Sequence, residues 1–309
     1  MRFVKKWRLT WIVAGVWLCH AAWAGAQVFH IATYNIENFL DAPSGTRPAK
    51  SPEARRKVRD TILAIKPDVI ALEEVGSTNV LLELQSELKI GGWDLPYWDQ
   101  VAGSDTNIHV SVLTRFPIVG RRPHTNDQFL LSGHLMQVSR GFAELDLQVN
   151  PKFRFTLIAA HLKSRRPSGL ADEEEWRYEE AAALRHVIDE RFGKELDPKF
   201  VVLGDFNDLK DSKPVRAIMG RGGNRLFDTR PGERNGDDPP AEKSHDSRRV
   251  TWTHFYAKDD VYSRVDYILL SSAMKLNWLT TESYVFSAPN WGLASDHRPV
   301  VAGFTVETK

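Results

Sequence analysis

Asp205 and Asn207 stand two residues apart in "GDFND", directly after the apolar run "FVVL" (Phe200–Leu203). On an extended segment, residues at that spacing project to the same side. A carboxylate and an amide so placed can take a proton from water and orient it, or hold a phosphoryl oxygen. Polar residues recur at the ends of other apolar runs. Asn35 and Glu37 follow "IATY", Glu73 and Glu74 follow "VIAL", and His161 follows "TLIAA". Asp266 interrupts "RVDYILL", and Asp296 and His297 precede "RPVV". Charges buried at strand ends are costly unless paired or bound to metal. The Asn, Asp and Glu oxygens suit a hard cation, Mg2+ or alternatively Mn2+, together with a substrate phosphate. His297 can donate to a phosphoryl oxygen when an acid orients its other ring nitrogen. Soft-ligand or zinc-motif spacing is absent: there is no HExxH, and the single cysteine is Cys19.

These side chains need elements to hold them. "VFHIATY" (28–34) and "PDVIAL" (67–72) read as strands. Between them Ser51, Pro52 and Glu53 start a helix whose stripe is Ala54, Val58, Ile62 and Ile65. A second helix over 77–88 places Val80, Leu81, Leu84 and Leu88 on one face. "IHVSVL", "FAELDLQV" and "FRFTLIAAHL" follow as strands. The second of these is expected to be half-exposed, with Glu144, Asp146 and Gln148 on its outer face. A long helix, "DEEEWRYEEAAALRHVIDERF", turns Trp176, Leu184, Val187 and Ile188 inward. Then come "FVVLGDF", a short helix near Pro214–Met219, a polar loop, and the strands "TWTHFY", "VDYILLS", "SYVF" and "RPVVAGFTV". No linker divides the chain, which points to one domain of two packed sheets flanked by helices.

Residues 1–26 stand apart. "MRFVKKWR" carries four basic residues and no acid, and "LTWIVAGVWLCHAAWA" is apolar but short for a membrane span. With small residues in "AWA" and "AGA", the segment reads as a signal peptide, so a periplasmic or secreted location is expected. The alternative is an uncleaved anchor. The mature chain, 27–309, would contain no cysteine and have no stable membrane association. Without Arg2, Lys5, Lys6 and Arg8, 37 basic residues face 40 acidic ones, unlike a protein that coats nucleic acid through bulk charge. Any polyanion must be gripped locally.

Six segments, "TYNIENF", "ALEEV", "AAHLKS", "GDFND", "RVDYILLS" and "SDHRPV", occur in an order that resembles the endonuclease/exonuclease/phosphatase superfamily, with its deoxyribonuclease I-like fold. "NIEN" and "GDFND" are arranged as in its bacterial members. The resemblance spans nearly the whole mature chain. It implies a four-layer α/β sandwich, two central and mainly antiparallel sheets flanked by helices. It also implies roles. Asn35, Glu74 and Asp296 match metal-site residues, Glu74 as direct ligand. Asp205 matches the residue that activates water, and Asn207 its phosphate-orienting neighbour. His161 and His297 match phosphate-contacting histidines, the latter oriented by Asp266. Glu73 departs from the pattern, which commonly has Gln there; it either adds a supporting charge or faces out.

Each residue taken singly has an ordinary alternative. Asn35 suits a turn, Glu73–Glu74 a solvated pair, His161 a satisfied core histidine, Asp266 an ion pair with Arg264, and Asp208 a loop cap. Around them, "KSRRP" offers Lys163 and Arg165 to phosphates or simply a solvated loop, and Arg140 points at the same mouth. Trp252 either stacks on a base or packs in the core. Asp105 and His109 resemble a loop near the site in relatives.

The expected activity is Mg2+-dependent phosphodiester hydrolysis by a monomer, with nucleic acid as substrate. A phosphatase or phospholipid phosphodiesterase, and a non-catalytic binding module, are the alternatives. The processing expectation is directly testable. N-terminal sequencing of exported protein is expected to begin after Ala24 or Ala26; a mature chain starting at Met1 would refute it.

Overall fold

Ser51 accepts a hydrogen bond from the Ala54 N–H at 3.2 Å and Pro52 sets the first turn, so a helix starts at the capped position. The computed structural model describes residues 26–167, 169, 171–233 and 251–308. The expected signal peptide lies outside the described residues except for Ala26, as does most of the polar loop after Glu233.

In chain order the first elements are β1 (Ala26–Phe39), α1 (Pro52–Ile65), β2 (Val69–Val75), α2 (Thr78–Ile90), β3 (Tyr97–Val101) and β4 (His109–Thr114). Next come β5 (Ile118–His124), β6 (Gln128–Leu131), β7 (His134–Gln137), β8 (Phe142–Asn150), β9 (Phe153–His161) and α3 (Glu173–Lys194). Then follow β10 (Phe200–Asp205), α4 (Lys213–Met219), β11 (Phe227–Asp228), β12 (Gly232–Glu233), β13 (His254–Tyr256) and β14 (Val261–Ser263). The chain closes with β15 (Asp266–Leu270), α5 (Ser272–Lys275), β16 (Trp278–Val285) and β17 (Val300–Glu307).

Two large sheets result. One has the strand order β12-β16-β17-β1-β2-β4-β3, the other β11-β15-β10-β9-β8-β5. Most pairings are antiparallel; β1 with β2, β9 with β10 and β12 with β16 run parallel. Phe29, Ile31, Val69, Ala71, Leu157, Val201, Leu203 and Ile268 pack between the sheets. A second cluster joins the outer face of one sheet to Trp176, Leu184 and Ile188 of α3, and a third joins the other sheet to α1 and α2. The architecture is therefore the expected four-layer α/β sandwich.

One expectation fails. Glu144 of β8 does not face solvent; it is buried, because α3 covers that face, and it pairs with Arg122, His124 and Arg191. "TWTHFY" also contributes less strand than expected, only His254–Tyr256, paired with Val261–Ser263 in a small hairpin.

Side chains alternate along a strand, so the rows that fill the core between the sheets continue to its rim. Ile31 leads to Asn35, Ala71 to Glu73, Leu157 and Ala159 to His161, Leu203 to Asp205, and Ile268 to Asp266. Inside the sandwich these positions are apolar; at one end they become polar. That end is the candidate site.

Gly204 makes the approach possible. Its φ is +136°, and a Cβ there would lie 1.8 Å from the Ala160 carbonyl oxygen. Gly204→Ala is expected to cost about 3 kcal/mol or more, from strain and backbone clash together. Urea unfolding tests this, and an unchanged midpoint would contradict it.

Candidate active site

The register between strands brings three polar residues into one row: Asp205 pairs with His161 on β9 and with Asp266 on β15. Two buried carboxylates face each other there, and His297 answers them. Its Nδ1 lies 2.9 Å from Asp266 Oδ2, and its Nε2 lies 3.7 Å from Asp205 Oδ2. Burial opposes a charge on His297, but Asp266 and Asp205 outweigh it and raise its pKa well above the ordinary 6.5. Burial also pushes the Asp205 carboxyl up, to about 6, with the His297 charge offsetting part of the effect. His161 differs. Its Nε2 is 3.6 Å from Asp205 Oδ2, but desolvation and the nearby Arg140 charge hold its pKa well below 6.5. The two histidines on Asp205 are thus set to opposite states, one protonated and one neutral.

Two amides complete the grip on Asp205. Asn35 and Asn207 each donate from Nδ2 to Oδ2, at 3.0 and 3.1 Å, and the Asn207 backbone N–H donates to Oδ1 at 2.8 Å. Asn207 holds φ at +53°, a left-handed turn that ends β10 and folds its side chain back on Asp205.

A carboxylate-rich side adjoins this row. Register shifts interrupt β1 after Asn35 and β2 after Leu72. Glu37, Asn38 and Glu74 take positive φ values of 42°, 46° and 64°. Non-glycine residues in this region cost energy and cluster at functional sites. The irregularity separates two neighbours. Glu73 stays in the inward row, fully buried, where it accepts from Thr33 Oγ1 at 2.7 Å. Glu74 turns toward Asn35 and accepts from the Asn38 N–H at 2.8 Å. Glu73 therefore does not face out. Burial raises its pKa well above the usual range, which favours the neutral acid, close in shape and hydrogen bonding to glutamine.

Several contributors were not visible in the sequence. Burial raises the Glu37 pKa, the Asp296 and Glu74 charges raise it further, and Lys50 partly offsets them. Lys50 Nζ donates to the Glu37 carbonyl at 2.7 Å and lies 3.7 Å from its carboxylate. Ser295, within "SDHRPV", donates to the Asn35 carbonyl at 2.7 Å and accepts from the His297 N–H at 3.0 Å, tying the first motif to the last. Thr253 Oγ1 accepts from the Asp266 N–H at 3.2 Å. His254 Nε2 lies 3.6 Å from Asp296 Oδ2, and its ring centre lies 4.5 Å from that of His297, the two planes tilted by 38°. Arg264 pairs with Asp228, leaving Asp266 to His297. "GDFND" and "SDHRPV" signalled the strand ends, but Lys50 and His254 carried no local signal.

The rim is organised by α3. Glu180 accepts from the Ser139 N–H at 2.7 Å and from the Lys163 N–H at 2.6 Å. Arg177 binds Asp208 Oδ2 at 2.9 Å and the Lys163 carbonyl at 3.3 Å. Arg140 is buried beside His161, donating to the Leu162 carbonyl at 3.3 Å with Asp105 3.7 Å away. Arg165 spends Nε on the Asn207 carbonyl and Nη2 on Asp208. Asp208 is thus an anchor for two arginines. Lys163 Nζ sits over the Trp176 ring at 5.4 Å. Trp252 packs against Tyr262 and Trp291, with Arg298 4.2 Å above its ring. Burial lowers the His109 pKa, with Asp105 opposing.

The sequence model of the Endonuclease/Exonuclease/phosphatase family matches residues 32–297. The chain belongs to this family. Family members include nucleases, phosphatases and sphingomyelinase. No curated protein sequence matches the chain. Among solved structures, sphingomyelinase C from Streptomyces griseocarneus superposes with a TM-score of 0.59 at 19% identity, covering 90% of this chain and 99% of that one. The human Nocturnin catalytic domain gives 0.58 at 16%, covering 90% and 94%. An endonuclease/exonuclease/phosphatase family protein from Bacteroides thetaiotaomicron gives 0.57 at 17%, covering 92% and 99%. At these identities the likeness is one of fold.

The opposed histidines give a measurable signature. In metal-free protein at pH 7, the ring-nitrogen NMR shifts are expected to report His297 protonated and His161 neutral. A histidine whose folded pKa is raised stabilises the fold below its unfolded pKa, and that stability is lost as pH climbs through the raised value. The stability advantage of wild type over Asp266→Asn should therefore be full below pH about 6.5 and shrink in alkaline solution. A constant difference across that range would contradict the pairing.

Proposed function

We propose that this protein is a divalent-metal-dependent phosphodiesterase that cleaves nucleic acid by direct attack of water activated at Asp205. The observation that carries the reading is the Asp205 carboxylate, gripped by two amides and flanked by one charged and one neutral histidine. The adjacent donors fit a hard cation: Glu37, Glu74 and Asp296 crowd their charges together, and Lys50 and His297 offset part of them. Glu74 and Asp296, with Asn35 supporting Glu74, are the residues that would hold Mg2+ or Mn2+. Bound there, the ion supplies Lewis-acid polarisation of a phosphoryl oxygen and charge for the leaving oxyanion.

Asp205 accepts the proton of the attacking water. Its raised pKa makes it a stronger base than an exposed aspartate. Asn35 and Asn207 fix which oxygen faces the water. Charged His297 donates to one equatorial phosphoryl oxygen, Asp266 holding its Nδ1. Neutral His161 faces another, Arg140 adds positive charge behind His161, and the Asn207 amide holds Asp205 and the Leu162 carbonyl in place.

Two features support nucleic acid as the substrate. Lys163, Arg140 and Arg165 border the His161 side, where a phosphate backbone can be held without base readout. On the opposite side the β13–β14 hairpin exposes Tyr256 and Tyr262, ring surfaces on which bases stack. The proposed setting is the periplasm or the medium, and the proposed assembly a monomer; both rest on the sequence.

Plasmid, single-stranded DNA and RNA are expected to be cut with Mg2+ and spared in EDTA. Asp205→Asn should lower kcat by roughly 100- to 10,000-fold. Glu74→Gln should raise the Mg2+ concentration required, whereas Glu73→Gln should retain activity, because the amide replaces a neutral acid. If p-nitrophenyl phosphate or sphingomyelin is turned over while nucleic acids stay intact, the nuclease reading fails and the phosphoesterase reading survives. Full hydrolysis in chelator would refute the metal.

A further inference from the structure

Beside Asp205, three ligand atoms converge in a second way. His254 Nε2 lies 3.6 Å from Asp296 Oδ2, and His297 Nε2 lies 3.9 Å from Asp296 Oδ1. The ligand atoms of His254, Asp296 and His297 all fall within 4.8 Å of one another. A four-coordinate zinc ion, with bonds of about 2.0–2.2 Å, needs its ligands roughly 3.4 Å apart. Before any ion enters, the three atoms stand wider apart, within 4.8 Å of one another, so binding draws them together.

The backbone fixes it. His254 and His297 face each other across an isolated β-bridge, and the Phe255 N–H donates to the Asp296 carbonyl at 3.0 Å. The rings are oriented from behind as well. His297 Nδ1 is held by Asp266, and His254 Nδ1 lies 3.5 Å from Ser263 Oγ. A histidine anchored at Nδ1 with Nε2 free is the arrangement that metal-binding histidines adopt. Two imidazoles and one carboxylate, with a fourth position left to water, select a borderline ion such as Zn2+ over Mg2+.

We propose that His254, Asp296 and His297 form an inhibitory Zn2+ site. The inhibition rests on the phosphate-contacting role given to His297 above. An ion on Nε2 displaces the proton that His297 carries there, releasing it to solvent; this removes the donor from the phosphoryl oxygen and draws Asp296 from the hard-cation side. The same pocket thus responds to two ions in opposite directions: Mg2+ supports turnover and Zn2+ halts it.

The experiment uses the full mature chain. Metal-free protein is titrated with Co2+, read as the visible absorption of a tetrahedral site, and with Zn2+ against a chromophoric chelator. His254→Phe keeps a ring between His297 and Tyr256 while removing the ligand nitrogen; His254→Gln is the second variant should the first fail to fold. Wild type is expected to bind one Zn2+ and show the Co2+ bands. The variant should lose the bands and bind Zn2+ at least about 10-fold more weakly. Zn2+ inhibition of Mg2+-supported hydrolysis, scaled to each protein's own zinc-free rate, should shift by the same factor. Equal Zn2+ affinity in variant and wild type, or no Zn2+ binding by wild type, overturns the proposal. The binding arms need no turnover. If no phosphodiester is cleaved by any form, the functional reading fails while the metal titrations still decide the site.

Discussion

Asp205 is 1% exposed, and its carboxylate sits where the inward faces of two sheets meet. Taking such a charge out of water costs several kcal/mol unless hydrogen bonds and opposite charge replace the water. The surroundings supply both. Asn35 comes from the far sheet, Asn207 from a left-handed turn two residues on, His161 from a parallel neighbour, and His297 from the last motif before β17. Removing any one leaves the others partly unsatisfied, so the two sheets and the closing loop are fastened at the site they create. A second carboxylate opposite, Asp266, would be untenable without a charged His297 beside it. The raised pKa of one and the protonation of the other are two views of one arrangement.

Reactivity follows from how unevenly this environment is distributed. Across a few ångströms, burial pushes Glu73 toward its neutral form, the nearby His254 and His297 outweigh burial and hold Asp296 toward its ionised form, and Asp205 lies between them. Three carboxyls of similar intrinsic acidity are thereby given different tasks. The ordering comes from depth. Glu73 is closed inside the sandwich, Asp205 sits at its lip, and Asp296 stands outside, where histidine reaches it.

Much of this was legible because strand alternation is a strict rule. An apolar row that ends in Asp205, Asp266 or His161 announces a polar rim, and the order of the six motifs gave the family. The boundaries of α1 and α2 could be read for a similar reason, since Ser51 and Ser77 cap them locally. What could not be read depended on partners distant in sequence. Lys50 has no pattern of its own and gains meaning only from Glu37. His254 belongs to a short hairpin whose bridge to His297 no periodicity predicts. Glu144, in an alternating strand, looked solvent-facing because alternation gives the face but not what covers it; α3 does. Arg177 and Glu180 lie outside the apolar stripe read for the long helix, yet both are buried.

Those two residues have a consequence for how such a protein can diverge. Through Glu180 and Arg177, one helix holds the backbone at Ser139 and Lys163 and the anchor Asp208 at once. A change in any of these segments is felt by the others through a shared rigid body. The basic wall is therefore inherited as a block and resists piecemeal drift. Among the described residues, the opposite wall, a three-residue-per-strand hairpin with exposed tyrosines, has no such tether to a long helix. New substrate preferences within this scaffold would accumulate on that side first, with the hydrolytic centre left as it is.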